Sequence, residues 1–145
     1  MNNTEFKKIL QICTSEIGFE YYKKNYYYQS EKLIVVINTQ KSNYDDSYYV
    51  NYGFCVRDIH DNLKYPKINE CDIIGRFINN TNDKKEYEFK LYTISSDKLI
   101  KCFDYNIRYI IIPVVNEDIN KYFELFPKAI YTAKRNLKEY LEKIK

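Results

Sequence analysis

Hydrophobic residues recur at helical spacing near the start of the chain. Five of them fall on one face of a helix, namely Phe6, Ile9, Leu10, Cys13 and Ile17. The pattern predicts a helix over residues 5–16, because Thr4 can cap its first turn and Gly18 can end it.

Between residues 19 and 56 the period shortens, and β-branched and aromatic residues dominate. Polar clusters interrupt this stretch and mark the turns between strands. The pattern predicts five antiparallel strands, over residues 19–29, 33–41, 48–57, 72–78 and 87–93. A longer loop is expected at 58–71 and a turn at 79–85.

Helical spacing returns near Ser95 and continues to Val114. Residues 108–115 taken alone have strand propensity, but the helical period fits more positions and is favoured. Asn116 is expected to cap a further helix, and Pro127 to start the last one.

These elements predict an α+β fold in a single domain over residues 1–145. Its antiparallel meander has about five strands, and the N-terminal and C-terminal helices pack on one face of the sheet. The chain is long enough to bury a hydrophobic core without disulfides, and its four cysteines are expected to be free thiols.

The loop at 42–47 suggests a register for the hairpin on either side of it. If Lys41 pairs with Tyr48, alternate residues of the two strands form one apolar face, as the face beneath the helices requires. The opposite face then carries a set of polar and aromatic residues, namely Asn38, Gln40, Tyr49 and Asn51.

We expect these four residues to form a shallow site for a ligand or protein partner, with Lys41 and Arg76 at its margin. Arg76 is the natural contact for an anion if strand 72–78 lies alongside, and Gly53 is expected to leave room. The alternative is that Asn38 and Asn51 only hydrogen-bond to each other across the strands.

The lone histidine, His60, gives little support for catalysis or metal binding. A Cys–His nucleophile would need His60 to reach a cysteine and a third orienting group. Asp58 and Asp61 beside it are metal-ligand types, but an acidic, solvated loop explains the same residues. The sequence therefore predicts no catalytic residues, no metal and, without a glycine-rich phosphate loop, no cofactor.

Lys23 and Lys24 lie among tyrosines in residues 21–28, a pattern that can hold single-stranded nucleic acid by stacking and phosphate contacts. The net charge of +3 is small for a nucleic-acid-binding chain, and tyrosine also favours edge strands. Nucleic acid is therefore the weaker hypothesis. The longest apolar run is too short to cross a membrane, and a cytoplasmic location is expected.

Three segments, Val36–Ser42, Tyr48–Gly53 and Cys71–Phe77, together with the Gly18–Phe19 pair, resemble the bacterial domain-of-unknown-function family DUF4304. Members of that family open with a helix, as this chain is predicted to do. A histidine usually follows the family's cysteine, where Asp72 stands in this chain. The family has no agreed activity, so the resemblance bears on the fold and leaves the function open.

A tyrosine-rich domain with no convergent catalytic set favours a non-enzymatic protein-binding function. Tyrosine supplies a large contact area at low entropic cost. An immunity (antitoxin-like) or adaptor protein is the form we expect, with another protein as the partner. The alternatives are a small enzyme with a polar site on the sheet face and a single-stranded nucleic-acid binder.

Overall fold

The first helix, α1, covers Asn3–Ser15 in a computed structural model that describes residues 1–80 and 85–144. Asn2 caps α1, since its side chain accepts a hydrogen bond from the Glu5 backbone N–H at 2.9 Å. Thr4, the predicted cap, lies inside the helix instead. Met1 is anchored too, because its ammonium group donates to the Leu91 carbonyl at 2.9 Å.

Six antiparallel strands follow in the described part of the chain. They are β1 (Glu20–Tyr22), β2 (Asn25–Gln29), β3 (Leu33–Lys41), β4 (Ser47–Val56), β5 (Ile73–Arg76) and β6 (Phe89–Lys90). The sheet runs in the order β1-β2-β3-β4-β5, and β6 also pairs with β4. This confirms the α+β class and the antiparallel meander.

The predicted hairpin register is confirmed along the whole of β3 and β4. Lys41 pairs with Tyr48, Asn38 with Asn51, and the last pair is Leu33 with Val56. Since side chains alternate across a strand, this register assigns every residue of the hairpin to one face or the other.

The single strand predicted over 19–29 is wrong. It is a hairpin of β1 and β2, in which Tyr22 pairs with Asn25. Lys23 and Lys24 form its two-residue turn with φ angles of +47° and +71°. These angles are those of a type I′ turn, which needs positive φ at both positions and usually has Asn or Gly there, so two lysines gave no turn signal.

The strand predicted over 87–93 is shorter than expected, because β6 ends at Lys90 and residues 91–93 form a turn. Of the predicted turn at 79–85, residues 81–84 lie outside the described part of the chain. On either side of it, Asn79 and Glu86 form an isolated antiparallel bridge.

Residues 96–116 are helical throughout, which confirms the helical interpretation of 108–115. Helix α2 (Ser96–Asn106) continues through a π-helical turn (Ile107–Ile111) into α3 (Ile112–Asn116). Pro113 follows the π turn, and proline cannot donate the regular helical hydrogen bond to the carbonyl four residues back.

The C-terminal caps differ from those predicted. Helix α4 (Ile119–Leu125) is capped by Asp118 rather than Asn116. Pro127 opens a 3-10 segment (Pro127–Tyr131), and the last helix, α5, begins only at Arg135 and ends at Lys143. Among the described residues, no helix is both long and apolar enough to cross a bilayer.

The two sheet faces are covered differently. The helices cover the predicted apolar face and bury it in the main core, with Val35, Val50 and Phe54 fully inaccessible. On the other face a smaller cluster of Tyr27, Ile34, Val36, Cys55 and Cys71 lies beneath side chains of the 57–71 loop. The loop covers only part of that face, which leaves the predicted polar site beyond its edge.

Candidate functional site

The predicted polar residues meet in one hydrogen-bonded network on the open part of the sheet. The Asn51 amide donates to Asn38 Oδ1 and to Gln40 Oε1, both at 3.1 Å. Arg76 Nε donates to Asn51 Oδ1 at 3.1 Å, and Arg76 Nη2 to Gln40 Oε1 at 3.3 Å. Strand β5 lies alongside β4 as the site required, with Arg76 opposite Asn51.

Tyr49 completes the network by stacking. The Arg76 guanidinium carbon lies 4.1 Å from the centre of the Tyr49 ring, which is cation–π geometry. Asn51 is buried, whereas Gln40 and Arg76 are exposed, so the network has a fixed base and an accessible rim. The cross-strand Asn38–Asn51 hydrogen bond, considered above as the alternative, is therefore present as one part of a larger arrangement.

Lys41 does not join these residues. It lies on the alternate face of β3, opposite Tyr48, and its ammonium group is 3.9 Å from Asp46 Oδ1. We define the polar patch by the remaining five residues: Asn38, Gln40, Tyr49, Asn51 and Arg76.

The space expected beside Gly53 is filled by the side chains of Cys71 and Ile68. A Cβ at Gly53 would lie 2.6 Å from Cys71 Sγ and 3.2 Å from Ile68 Cδ1. The glycine therefore admits the side chains of the covering loop rather than a ligand, and the expectation of free space there is wrong.

A cavity of about 630 Å³ opens beside β5 and shares Arg76 with the polar patch. Tyr52 and Tyr122 line it, and their hydroxyl groups are hydrogen-bonded at 2.9 Å. Burial raises the pKa of Tyr52, so both rings present neutral hydroxyls. Lys85 and Lys128 also line the cavity. Sequence reasoning missed it because its walls come from β5, the end of α4 and the following 3-10 segment.

His60 is not a solvated loop residue, and that expectation is wrong. Its Nε2 lies 2.7 Å from Asp72 Oδ1, and the Asp72 side chain is completely buried. The other carboxylate oxygen, Oδ2, accepts a hydrogen bond from the Val56 N–H at 2.8 Å. Cys55 is close as well, since its sulfur and one ligand atom of His60 and of Asp72 all lie within 4.8 Å of one another.

A second cysteine lies behind this cluster. The Cys71 thiol contacts the Cys55 side chain, and that hydrogen bond together with burial raises the pKa of Cys71. Asp58, a neighbour of His60 in sequence, instead accepts a hydrogen bond from the Tyr140 hydroxyl at 3.1 Å. Asp72 and Cys71 reach the neighbourhood of His60 from more than ten residues away, so spacing arguments did not bring the three ligand-type side chains together.

The tyrosines that precede Lys23 and Lys24 are partly exposed but pack against other tyrosines. Tyr22 stacks on Tyr65 with ring centres 4.1 Å apart, and Tyr21 packs on Tyr26 at 5.2 Å. A tyrosine ring that packs against another ring has less surface on which a nucleic-acid base can stack. This hairpin therefore does not strengthen the nucleic-acid hypothesis.

Comparison with known proteins gives a family and no activity. No curated protein and no solved structure matches the chain. The family model described as a domain of unknown function (DUF4304) matches residues 13–117, which include α1 from Cys13 onward, all six strands and α2 to α3. The polar patch, the cluster of Cys55, His60 and Asp72, and half of the residues that line the cavity beside β5 fall within this match, and the chain belongs to the DUF4304 family.

Proposed function

We propose that this domain is a non-enzymatic protein-binding module that holds an extended, acidic segment of a partner protein along β5. The observation that carries the proposal is the position of Arg76. Its guanidinium lies on an open sheet face, is hydrogen-bonded to neutral amides and also lines the cavity of about 630 Å³ beside β5. A guanidinium that lies over an aromatic ring and is hydrogen-bonded to amides is suited to binding a carboxylate through two parallel hydrogen bonds.

The charge around β5 supports an acidic partner. Arg76, Lys85 and Lys128 line the cavity, and none of the three forms a salt bridge with a carboxylate of residues 1–80 or 85–144. Cations without an internal counter-charge attract complementary groups and speed association with them.

The backbone of β5 supports an extended partner. The strand pairs with β4 on one side, while Ile74, Gly75 and Arg76 line the cavity. A strand at the end of a sheet offers hydrogen-bonding groups to an added strand. Ile74 is 42% exposed, so an apolar side chain of the partner would find a contact there.

Aromatic side chains flank the edge on both faces. Tyr49 lies beneath Arg76 in the polar patch, and Tyr87 and Phe126 line the cavity. Tyrosine and arginine are the residues most often responsible for binding energy at protein interfaces. An immunity or adaptor role is the biological form we propose, and an acidic toxin or adaptor target encoded beside this gene would fit it.

The test is peptide binding by matched variants. Ten-residue peptides selected against the full chain from a random display library should be rich in Asp and Glu. Fluorescence polarisation should show at least about a tenfold loss of affinity on Arg76→Ala, because a charged partner group loses its hydrogen bonds. Arg108→Ala removes the same charge elsewhere, where Arg108 pairs with Asp104, and should leave affinity unchanged. Equal binding by both variants would contradict the proposal.

Asn51→Ala tests the base of the polar patch. Losing the hydrogen bonds to Asn38 and Gln40 is expected to lower the free energy of unfolding by about 1 kcal/mol, measured by urea denaturation. Arg76 also loses its Asn51 acceptor, so affinity for the selected peptides should fall while the fold persists. Unchanged peptide affinity in a folded Asn51→Ala protein would show that the patch takes no part in binding.

A further inference from the structure

Three metal-ligand side chains converge beneath the 57–71 loop. They are Cys55 on β4, His60 in the loop and Asp72 immediately before β5. Cys55 is fully buried, the Asp72 side chain is 0% exposed and that of His60 is 22% exposed. Buried groups of this kind are normally paired with each other or coordinate a metal.

The donor atoms indicate which class of ion would fit. A thiolate and an imidazole favour zinc and similar borderline-soft transition metals, whereas calcium and magnesium prefer oxygen ligands. Three protein ligands with an open fourth position form the usual arrangement at a reactive zinc site.

Neighbouring groups orient one of the three ligands and leave space beside them for an ion. Asp72 Oδ2 is fixed by the Val56 N–H at 2.8 Å, which leaves Oδ1 directed at His60. Hydrogen bonds that orient a ligating carboxylate are part of well-formed metal sites. A cavity of about 250 Å³, lined by Cys55, His60 and Asn62 among others, gives the ion a path and room for a water molecule.

The His60–Asp72 pair needs little movement to admit the ion, and Cys55 Sγ lies within 4.8 Å of a ligand atom of each of them. His60 Nε2 and Asp72 Oδ1 are 2.7 Å apart, whereas two ligands of one tetrahedral zinc lie roughly 3.3 Å apart. His60 follows a short 3-10 turn (Arg57–Ile59) in the covering loop, so its ring can retreat by the required few tenths of an ångström without disturbing the sheet.

We infer that Cys55, His60 and Asp72 form a zinc site with its fourth position open to the cavity beneath the 57–71 loop. The site is separate from the polar patch and does not depend on the proposed protein binding. It departs from the sequence-based expectation that the chain holds no metal, because the three ligands come together only through the pairing of β4 with β5.

The test uses the reduced, metal-stripped full chain titrated with Co²⁺ and then with Zn²⁺. Co²⁺ should bind with one equivalent and give the ultraviolet absorption of a thiolate–cobalt bond, and Zn²⁺ should displace it. Cys55→Ser should abolish that absorption. His60→Ala should weaken Zn²⁺ binding more than about 100-fold, since even the outer partners of metal ligands contribute 10–100-fold.

Matched variants separate this site from adventitious binding. Cys13→Ser changes a half-buried thiol on α1, and Asp58→Asn changes a carboxylate bonded to Tyr140, so both should bind Zn²⁺ like the unaltered chain. Circular dichroism checks folding, and if Cys55→Ser unfolds, the partly exposed His60 still provides the test. The proposal is overturned if the chain takes up no stoichiometric metal. It is also overturned if folded Cys55→Ser and His60→Ala bind as well as the controls, or if Cys71→Ser rather than Cys55→Ser removes the absorption.

Discussion

Phe6→Ala is expected to lower the free energy of unfolding by about 3–5 kcal/mol, as truncation of a buried phenylalanine does in other proteins. Phe6 is fully buried and joins α1 to both the sheet and α2. Its ring stacks on Tyr48 at 5.0 Å and meets the Phe103 ring edge-on at 5.6 Å. The alanine would leave a cavity among the rings of Tyr48, Phe89 and Phe103.

Urea denaturation followed by circular dichroism measures this loss. Ile12→Ala is the matched control, because Ile12 lies on the same helix but is 49% exposed. Its free energy of unfolding should change by no more than about 0.5 kcal/mol. A Phe6→Ala protein as stable as the Ile12→Ala protein would mean that α1 does not pack on the sheet as described.

Gly53→Ala is expected to destabilise the protein by about 1–3 kcal/mol, although alanine suits a strand better than glycine does. The added Cβ would lie 2.6 Å from Cys71 Sγ and 2.7 Å from Cys71 Cβ, closer than atoms can approach. Either the covering loop moves outward or β4 bends, and both disturb the smaller core cluster.

A double-mutant cycle identifies Cys71 as the cause. Cys71→Gly removes both clashing atoms, so the stability loss of Gly53→Ala with Cys71→Gly should be smaller than the sum of the two single losses. Strictly additive losses would place the strain elsewhere. Thermal unfolding of the four proteins under reducing conditions gives the comparison.

The sequence was sufficient to predict the β3–β4 hairpin and what each of its faces carries. A one-residue shift would expose the whole apolar set, so burial selects one register and the polar residues follow from it. The register therefore places Asn38, Gln40, Tyr49 and Asn51 on one face of the hairpin. Arg76 needed one further assumption, that β5 lies beside β4, and this is confirmed.

The His60 cluster could not be predicted in the same way. Asp72 reaches His60 only because its own backbone N–H bonds to the Phe54 carbonyl and its carboxylate to the Val56 N–H. Nothing local in the sequence marks these contacts, since they join segments 12 to 18 residues apart through a loop without regular spacing. The hairpin turn at Lys23 and Lys24 was missed for a local reason. Lysine is uncommon at the two positive-φ positions of this turn, so the sequence carries no signal for it.

The position of strand β4 in the sheet determines which parts of the protein can unfold locally. It pairs with β3, β5 and β6, and of its ten residues only Tyr49 is not buried. Strand β1 lies at the far edge with all three residues exposed. Amide protons in β4 should therefore exchange with solvent only through global unfolding, while those of β1 exchange through local fraying. Fraying of β1 would leave both the polar patch and the zinc ligands in place, whereas a break in β4 would destroy the two sites together.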